Sequence, residues 1–282
     1  MRAPSSMTHQ ESATHEYGVL EEAVPWHAIE HQAVVNEEDL FYLITIASFI
    51  KSASGLYIHS MVKYLSADGE IANWLEHHWL EEELQHGRAL ARYVLTVWPQ
   101  FDWDSVYEYF FKEFATTFRD GALAPSRSLE MVACCVLEMA NAGYYAALSG
   151  MTQEPILSLL ARRISEDEVR QYQNFYRYFS LYRQVENTSR VQVLRTMWQR
   201  LKLLDGGDSV IAMKHVYGAC HPDEPSKLRT YRQMQKRCRH RMARYFPRKM
   251  GAEMVLKPLD LGLRFQHMTV SILGRMAQRF VT

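Results

Sequence analysis

The chain has 282 residues, of which 48% are hydrophobic and 23% are charged, and its 32 acidic and 32 basic residues give a formal net charge of zero. These values exclude a disordered or collagen-like chain and are typical of a globular protein with a sizeable core. The charge is unevenly distributed, since residues 1–180 hold 12 basic and 25 acidic residues whereas residues 181–282 hold 20 and 7.

Nothing in the first thirty residues has the basic-then-apolar pattern of a secretory signal. The longest apolar run, residues 40–50, has about half the length that a membrane span requires. The four cysteines do not form a disulfide framework in a chain of this size. We therefore expect a cytoplasmic protein without a membrane span.

The predicted elements begin with a flexible N-terminal tail, residues 1–24, which is polar and lacks periodicity. Apolar residues at three- and four-residue spacing predict a long helix over residues 37–65, and a second one follows the Asp68-Gly69 turn and ends before Pro99. A short amphipathic helix over 104–118 then crosses to a third long helix, 126–148, and a fourth, 156–183. Two antiparallel helix pairs joined by one crossover helix predict an all-α fold with a four-helix bundle over residues 25–185.

Residues 186–282 are predicted to form a basic helical C-terminal extension packed on the bundle. Ten basic residues fall between residues 227 and 249. They indicate either a cationic docking face for an acidic partner or an internal contact that neutralises the acidic bundle. Nucleic acid is not expected as a partner, because few aromatic residues are present there to stack on bases.

Carboxylates and a histidine recur at matching positions of the long helices. Di-metal carboxylate bundles use two Glu-x-x-His pairs and two single glutamates, all of which point inward from four helices. The second predicted helix holds Glu83 and His86, the third holds Glu138, and the fourth holds Glu168 with Gln171 three residues later. Glu138 is the only charged residue between positions 131 and 147, so it is either buried with a partner or functional.

The geometry of the two helical hairpins indicates that these residues meet. Counted in residues along the chain, Glu138 lies as far before the turn near residue 154 as Glu168 and Gln171 lie after it. The residue that lies as far before the Asp68-Gly69 turn as Glu83 and His86 lie after it is Lys51. Residues 50–57 also align without gaps on residues 137–144, which places Lys51 opposite Glu138. We therefore interpret the chain as two copies of one helical hairpin, in each of which one metal ligand is replaced.

Residues 79–87 (Trp-Leu-Glu-Glu-Glu-Leu-Gln-His-Gly) and 166–172 (Glu-Asp-Glu-Val-Arg-Gln-Tyr) resemble the two metal-binding helices of the ferritin-like superfamily. They are closest to its acyl-carrier-protein desaturase branch, where comparable segments bind a di-iron centre. The resemblance covers residues 37–183 and implies a ferritin-like four-helix bundle. It implies four metal ligands, namely Glu83, His86, Glu138 and Glu168. Lys51 stands where the family has a glutamate, and Gln171 where it has a histidine.

By this resemblance the protein is expected to be an oxidoreductase that binds one or two iron ions, or manganese, and activates dioxygen. Its substrate would be a small or acyl-carrier-protein-bound organic molecule, with a redox partner and a homodimeric assembly as further expectations. Three glutamates and one lysine sum to −2, which matches a single divalent ion. Lys51 is the candidate catalytic residue, as a proton donor, a charge partner or a nucleophilic amine.

The alternative is a metal-poor or metal-free bundle in which the ammonium of Lys51 replaces the metal and the protein binds a ligand or partner without redox chemistry. Gln171, Tyr57 and Tyr144 are candidate site-lining residues. The two tyrosines are interpreted either as radical or proton carriers or as ordinary core residues with a bonded hydroxyl. Three further acidic residues, Glu81, Glu82 and Glu166, are predicted to lie on solvated faces.

Overall fold

The computed structural model describes residues 20–117, 123–204, 207–222 and 227–260, apart from the side chains of residues 227 and 228. These residues are mainly helical and contain no β-strand, which confirms the all-α prediction. Most of the predicted tail and residues 261–282 lie outside the described part of the chain. The end of that predicted tail differs from expectation, since Leu20–Ala23 forms a short helix, α1, in which Leu20 is buried. A further short helix, α2 (His31–Val34), precedes the bundle.

The first helix pair is less regular than the sequence predicts. The first long helix is divided into α3 (Glu38–Ser52) and α4 (Gly55–Tyr64) by a turn at Ala53 and Ser54. The second begins as α5 (Gly69–Trp74), passes through a π-helical segment (Leu75–Trp79) and continues as α6 (Leu80–Val97). Single π turns within α-helices are found frequently at functional sites.

Close packing of α6 against the end of α3 depends on a glycine. A Cβ atom on Gly87 would lie 2.7 Å from Ser52 Oγ and 2.8 Å from the Ser52 backbone nitrogen. Because no larger residue permits this approach, Gly87 brings the end of α3 beside α6. Lys51 and His86, the neighbours of these two residues in the chain, therefore lie at the same level of the bundle.

The crossover helix α7 (Trp103–Thr117) leads to the second pair, α8 (Arg127–Met151) and α9 (Pro155–Glu186), which pack along each other. Glu154 caps α9, because its carboxylate accepts hydrogen bonds from the backbone N–H groups of Ile156 and Leu157. Proline at the first position of α9 suits this start, since its missing N–H would have no partner there. The predicted turn at residues 150–155 is therefore confirmed within a residue or two.

The described part of the C-terminal extension forms the helices α10 (Arg190–Leu204), α11 (Asp208–Cys220), α12 (Lys227–Tyr245) and α13 (Arg248–Leu256). They pack on the preceding helices, with α10, α12 and α13 against α8, and α11 against α3 and α7. Two arginines of α12 form ion pairs with the start of the bundle: Arg237 binds Glu38 and Asp39, and Arg241 binds Glu37. Internal neutralisation of the acidic half therefore accounts for part of the basic charge.

Two helical stretches, Glu38–Tyr64 and Arg127–Met151, have the length and hydropathy of a membrane span. In their most apolar windows, 67% and 78% of the residues are buried inside the protein. Such burial is equally characteristic of the core helices of a bundle, so these two stretches are weak grounds for a membrane span.

Candidate metal centre

The structure brings the predicted ligands and Lys51 to one place in the interior, from four different helices. Lys51 lies at the end of α3, Glu83 and His86 lie on α6, Glu138 on α8 and Glu168 on α9, and all five are buried. Ligating atoms of Glu83, His86 and Glu168 lie within 4.8 Å of one another. Within the described part of the chain there is therefore one buried carboxylate and histidine group that could hold a metal ion, while the role of each residue as a ligand stays a prediction.

Lys51 is bonded to two of the carboxylates. Its Nζ donates to Glu83 Oε1 and, at 2.7 Å, to Glu168 Oε1. Burial alone would lower the pKa of Lys51, but the charges of Glu168 and Glu83 outweigh it and raise the pKa well above its usual value. Because a protonated amine has no free electron pair, this environment favours Lys51 as a charge partner or proton donor over a nucleophile.

His86 is oriented by a carboxylate that the sequence interpretation did not single out. Its Nε2 lies 3.0 Å from Asp167 Oδ2, and its Nδ1 lies 3.2 Å from Glu168 Oε1 without being aligned for a hydrogen bond. Burial would lower the pKa of His86, but the bond to Asp167 and the nearby carboxylates of Glu168 and Glu83 raise it well above its usual value. In histidine metal sites, a carboxylate on one ring nitrogen fixes the ring and leaves the other nitrogen for the ion. The only sequence signal for Asp167 is its position directly before Glu168.

The other half of the bundle contains the matching arrangement around Gln171. Gln171 Nε2 donates to Glu82 Oε2 at 3.0 Å, and Gln171 Oε1 accepts from Trp79 Nε1 at 3.0 Å. Glu82 therefore contacts Gln171 in the same way that Asp167 contacts His86, which agrees with the internal repeat. The expectation that Glu82 lies on a solvated face is wrong, because it is only partly exposed and burial raises its pKa.

Two carboxylate oxygens at the centre lack a hydrogen-bond partner among the described residues: Glu138 Oε1 and Glu168 Oε2. The other oxygen of Glu138 accepts from Asn141 Nδ2 at 3.2 Å. Burial raises the pKa of Glu138 well above its usual value, and the neighbouring charge of Glu168 raises it further. Burial also raises the pKa of Glu168, but Lys51 and His86 outweigh this and hold it well below the usual range. Unpaired buried oxygens are costly; a cation would satisfy both, and so would a proton that Glu138 shares with Glu168 in the metal-free protein.

The charges at the centre fit one divalent ion. Without a metal, the raised pKa values of Lys51, His86 and Glu138 favour their protonated forms, so two cations face the carboxylates of Glu83 and Glu168 while Glu138 carries no charge. A divalent ion could displace the protons of His86 and Glu138, because these groups bind metals in their deprotonated forms. Two protons leave as two positive charges arrive, so the total charge of the buried cluster stays the same.

The structure does not place the two predicted tyrosines at the centre. Tyr57 donates to Glu130 Oε1 at 2.5 Å and accepts from Arg200 at 3.1 Å, and Tyr144 donates to the carbonyl oxygen of Leu43 at 2.9 Å. The ammonium of Lys51 instead lies 5.8 Å from the ring centroid of Tyr145, the residue that follows Tyr144 on α8.

A cleft of about 170 Å³ between α6 and α9 reaches His86 from the protein surface. Both positive and negative side chains line it, so its mouth is polar. The lining residues are Leu20, Ala23, Glu82, Gln85, His86, Arg163, Glu166, Asp167 and Arg170.

No protein-family model, curated protein or solved structure matches this chain. The interpretation of the centre therefore depends on its residues and their geometry.

Proposed function

We propose that this chain is a ferritin-like bundle that binds a divalent iron or manganese ion and acts as an oxidoreductase that uses dioxygen on an organic substrate. The observation that carries the proposal is the buried group of Glu83, His86 and Glu168, with Glu138 beside it. The order of the helices supports it, because one crossover helix joins two helix pairs as in ferritin-like folds.

The donor set favours iron or manganese. Carboxylate oxygens with one imidazole suit these ions, whereas thiolate-rich sites favour zinc, and no cysteine belongs to this ligand group. A bound ion would supply the one-electron chemistry that dioxygen requires. The protein side chains would hold and protect the reacting groups. Asp167 fixes the ring of His86, the surrounding helices bury Glu138 and Glu168, and Lys51 holds a proton at Nζ beside the carboxylates.

Access for the substrate is provided by the cleft at His86. Arg163 at its mouth, whose Nη1 bonds the carbonyl oxygen of Ala23, suits a substrate that carries a negative group, either a small molecule or one attached to an acyl carrier protein. The exposed basic residues of α12, among them Arg232 and Lys236, offer a surface that attracts such an acidic carrier.

Metal stoichiometry tests the proposal. The protein is expressed with iron and manganese supplied, purified without chelator and measured by elemental analysis alongside Glu83→Ala and Glu81→Ala. Glu81 is the matched control, since it lies on the same helix but pairs with Arg88 at the surface. We expect about one ion per chain in the parent and in Glu81→Ala, and loss of the ion in Glu83→Ala. Unchanged metal content in Glu83→Ala would refute the site, and dioxygen consumption tests the redox step next.

A second candidate function is favoured by the bonds of Lys51. Because Nζ binds both Glu83 and Glu168 and the pKa of His86 beside them is raised, two cations can balance the two carboxylates without a metal. In this case the bundle would bind a ligand or protein partner without redox chemistry. A folded protein that takes up neither iron nor manganese, even on reconstitution, would select this candidate.

A further inference from the structure

We propose that four aromatic residues, Trp79, Trp74, Tyr178 and Tyr182, form an electron-transfer path from the metal centre towards the surface, where the buried phenols of Tyr178 and Tyr182 bond the exposed carboxylate of Glu70 and the partly exposed carboxylate of Asp68. This inference rests on the redox function proposed above and adds the route by which the centre receives electrons. Tryptophan and tyrosine are the aromatic side chains that are oxidised most readily, so a continuous series of them can carry an electron in short steps.

The inner end of the path is one residue away from the centre. Trp79 is 1% exposed and lies at the end of the π-helical segment that precedes Glu83. Its indole N–H donates to Gln171 Oε1 at 3.0 Å, and Gln171 lies one helical turn from Glu168 on α9. The amide of Gln171 therefore links the indole to the ligand helix.

The rings then follow one another towards the start of α5. Trp74 and Trp79 are stacked with centroids 6.5 Å apart and an interplanar angle of 8°. Tyr178 follows at 6.3 Å from Trp74, and Tyr182 at 6.4 Å from Tyr178. Phe175 packs against both tryptophans, at 5.2 and 4.9 Å, and fixes their spacing.

At the outer end, each tyrosine has a carboxylate ready to receive its proton. Tyr178 donates to Glu70 Oε1 at 3.0 Å, and Tyr182 donates to Asp68 Oδ2 at 2.7 Å. Burial, together with the bond to Glu70, raises the pKa of Tyr178 to about 12, so the phenol is protonated before it is oxidised. Ordinary aromatic packing requires no such base, whereas a tyrosine that loses an electron must also lose its proton.

The electron balance of the path is complete. A metal held by Glu83, His86 and Glu168 would supply the oxidising equivalent from dioxygen, and Trp79 would give up one electron to it. An electron then passes from Tyr182 through Tyr178 and Trp74 to Trp79, and the phenolic proton of Tyr182 moves to Asp68. A one-electron donor of the thiol or ascorbate class then reduces the tyrosyl radical, and the phenol regains a proton.

The path can be tested in the metal-free protein by flash photolysis. A ruthenium polypyridyl photo-oxidant is attached at Asn73→Cys, an exposed position next to Trp74, in a Cys220→Ser background that removes the exposed native cysteine. We expect a tryptophan radical that decays as a tyrosyl radical appears. The tyrosyl signal should be lost in Tyr178→Phe and kept in Tyr176→Phe, the matched control, which stacks on Tyr172 instead of Trp74. Equal tyrosyl yields in the two variants would overturn the proposal.

The link to the centre is tested separately in metal-loaded protein treated with hydrogen peroxide. Electron paramagnetic resonance should show a tyrosyl radical in the parent and in Trp103→Phe, a buried tryptophan that bonds Ser48, and not in Trp79→Phe. An equal radical yield in Trp79→Phe would overturn the inner link. If no metal binds at all, the proposed function fails, whereas the photochemical result still decides whether the aromatic residues conduct.

Discussion

Replacing Lys51 by methionine tests the electrostatics of the centre directly. The change keeps the length of the side chain and removes the ammonium that Glu83 and Glu168 share. Removing one partner of a buried ion pair costs roughly 3–5 kcal/mol, because the other charge stays buried and unpaired. In a chain of this size each kcal/mol lowers the melting temperature by about 2 °C, so metal-free Lys51→Met should melt roughly 6–10 °C below the parent.

A divalent ion should reverse most of this loss. The two carboxylates of Lys51→Met carry uncompensated negative charge, so the ion binds the variant more tightly than the parent. Binding at a thousandfold excess over the dissociation constant stabilises the folded state by about 4 kcal/mol, which is close to the expected loss. The assay is thermal unfolding of both proteins with and without manganese(II), which does not oxidise readily during the measurement.

Lys112→Met is the matched control for this experiment. Lys112 forms an exposed ion pair with Glu108 one helical turn away, so its replacement should change stability by less than about 0.5 kcal/mol and should leave the response to manganese unchanged. If metal-free Lys51→Met has the same melting temperature as the parent, the ion pairs of Lys51 do not stabilise the protein. If manganese stabilises Lys51→Met and the parent equally, the ion binds elsewhere.

Three further predictions concern the same centre. Lys51→Glu adds a fourth glutamate to the centre and should raise the metal content per chain measured by elemental analysis. An unchanged metal content would contradict the position assigned to Lys51. Since the pKa values of His86 and Glu138 are raised, both protons must leave when the ion binds, and metal affinity should increase with pH by up to about 100-fold per unit below those pKa values. Titration calorimetry in two buffers of different ionisation enthalpy should count two protons released, and one in Glu138→Gln. Gly87→Ala places a methyl group against the backbone of α3 and should cost roughly 1–3 kcal/mol of stability in a denaturant titration, whereas Gly69→Ala meets open space and should not.

The juxtaposition of the five central residues could be predicted because two regular features determine it. Helical periodicity decides which residues share a face, and the distance from a turn decides their depth in a hairpin. Glu138 was identified as the single charge in an apolar stretch, and Lys51 as the residue at the mirrored depth. Both lie where that reasoning placed them.

The partners of these residues could not be predicted in the same way. The break after Ser52 and the π-helical segment at Leu75–Trp79 change the rotation of the following helix without changing the apolar spacing that identifies it. The contact of Tyr57 with Arg200 joins residues 143 positions apart, through α10, whose packing the sequence left open. To predict the contact of Asp167 with His86, one must know the rotation of α6 relative to α9, which the sequence pattern does not contain.

Lys51 and Gln171, the two positions that differ from the pattern of a di-metal carboxylate bundle, have different consequences for folding. Gln171 is a neutral amide that bonds Glu82 and Trp79, so it would supply no imidazole ligand and adds no charge. A glutamate at position 51 would make the centre more negative by two charges, whereas Lys51 pairs with both Glu83 and Glu168 before any metal is present. A centre of four glutamates would repel itself in the metal-free protein, whereas this one is balanced, so the bundle could fold before it bound an ion. Under the proposed function the same ammonium would compete with the ion for both carboxylates, and this competition favours a single, more weakly held ion over a pair.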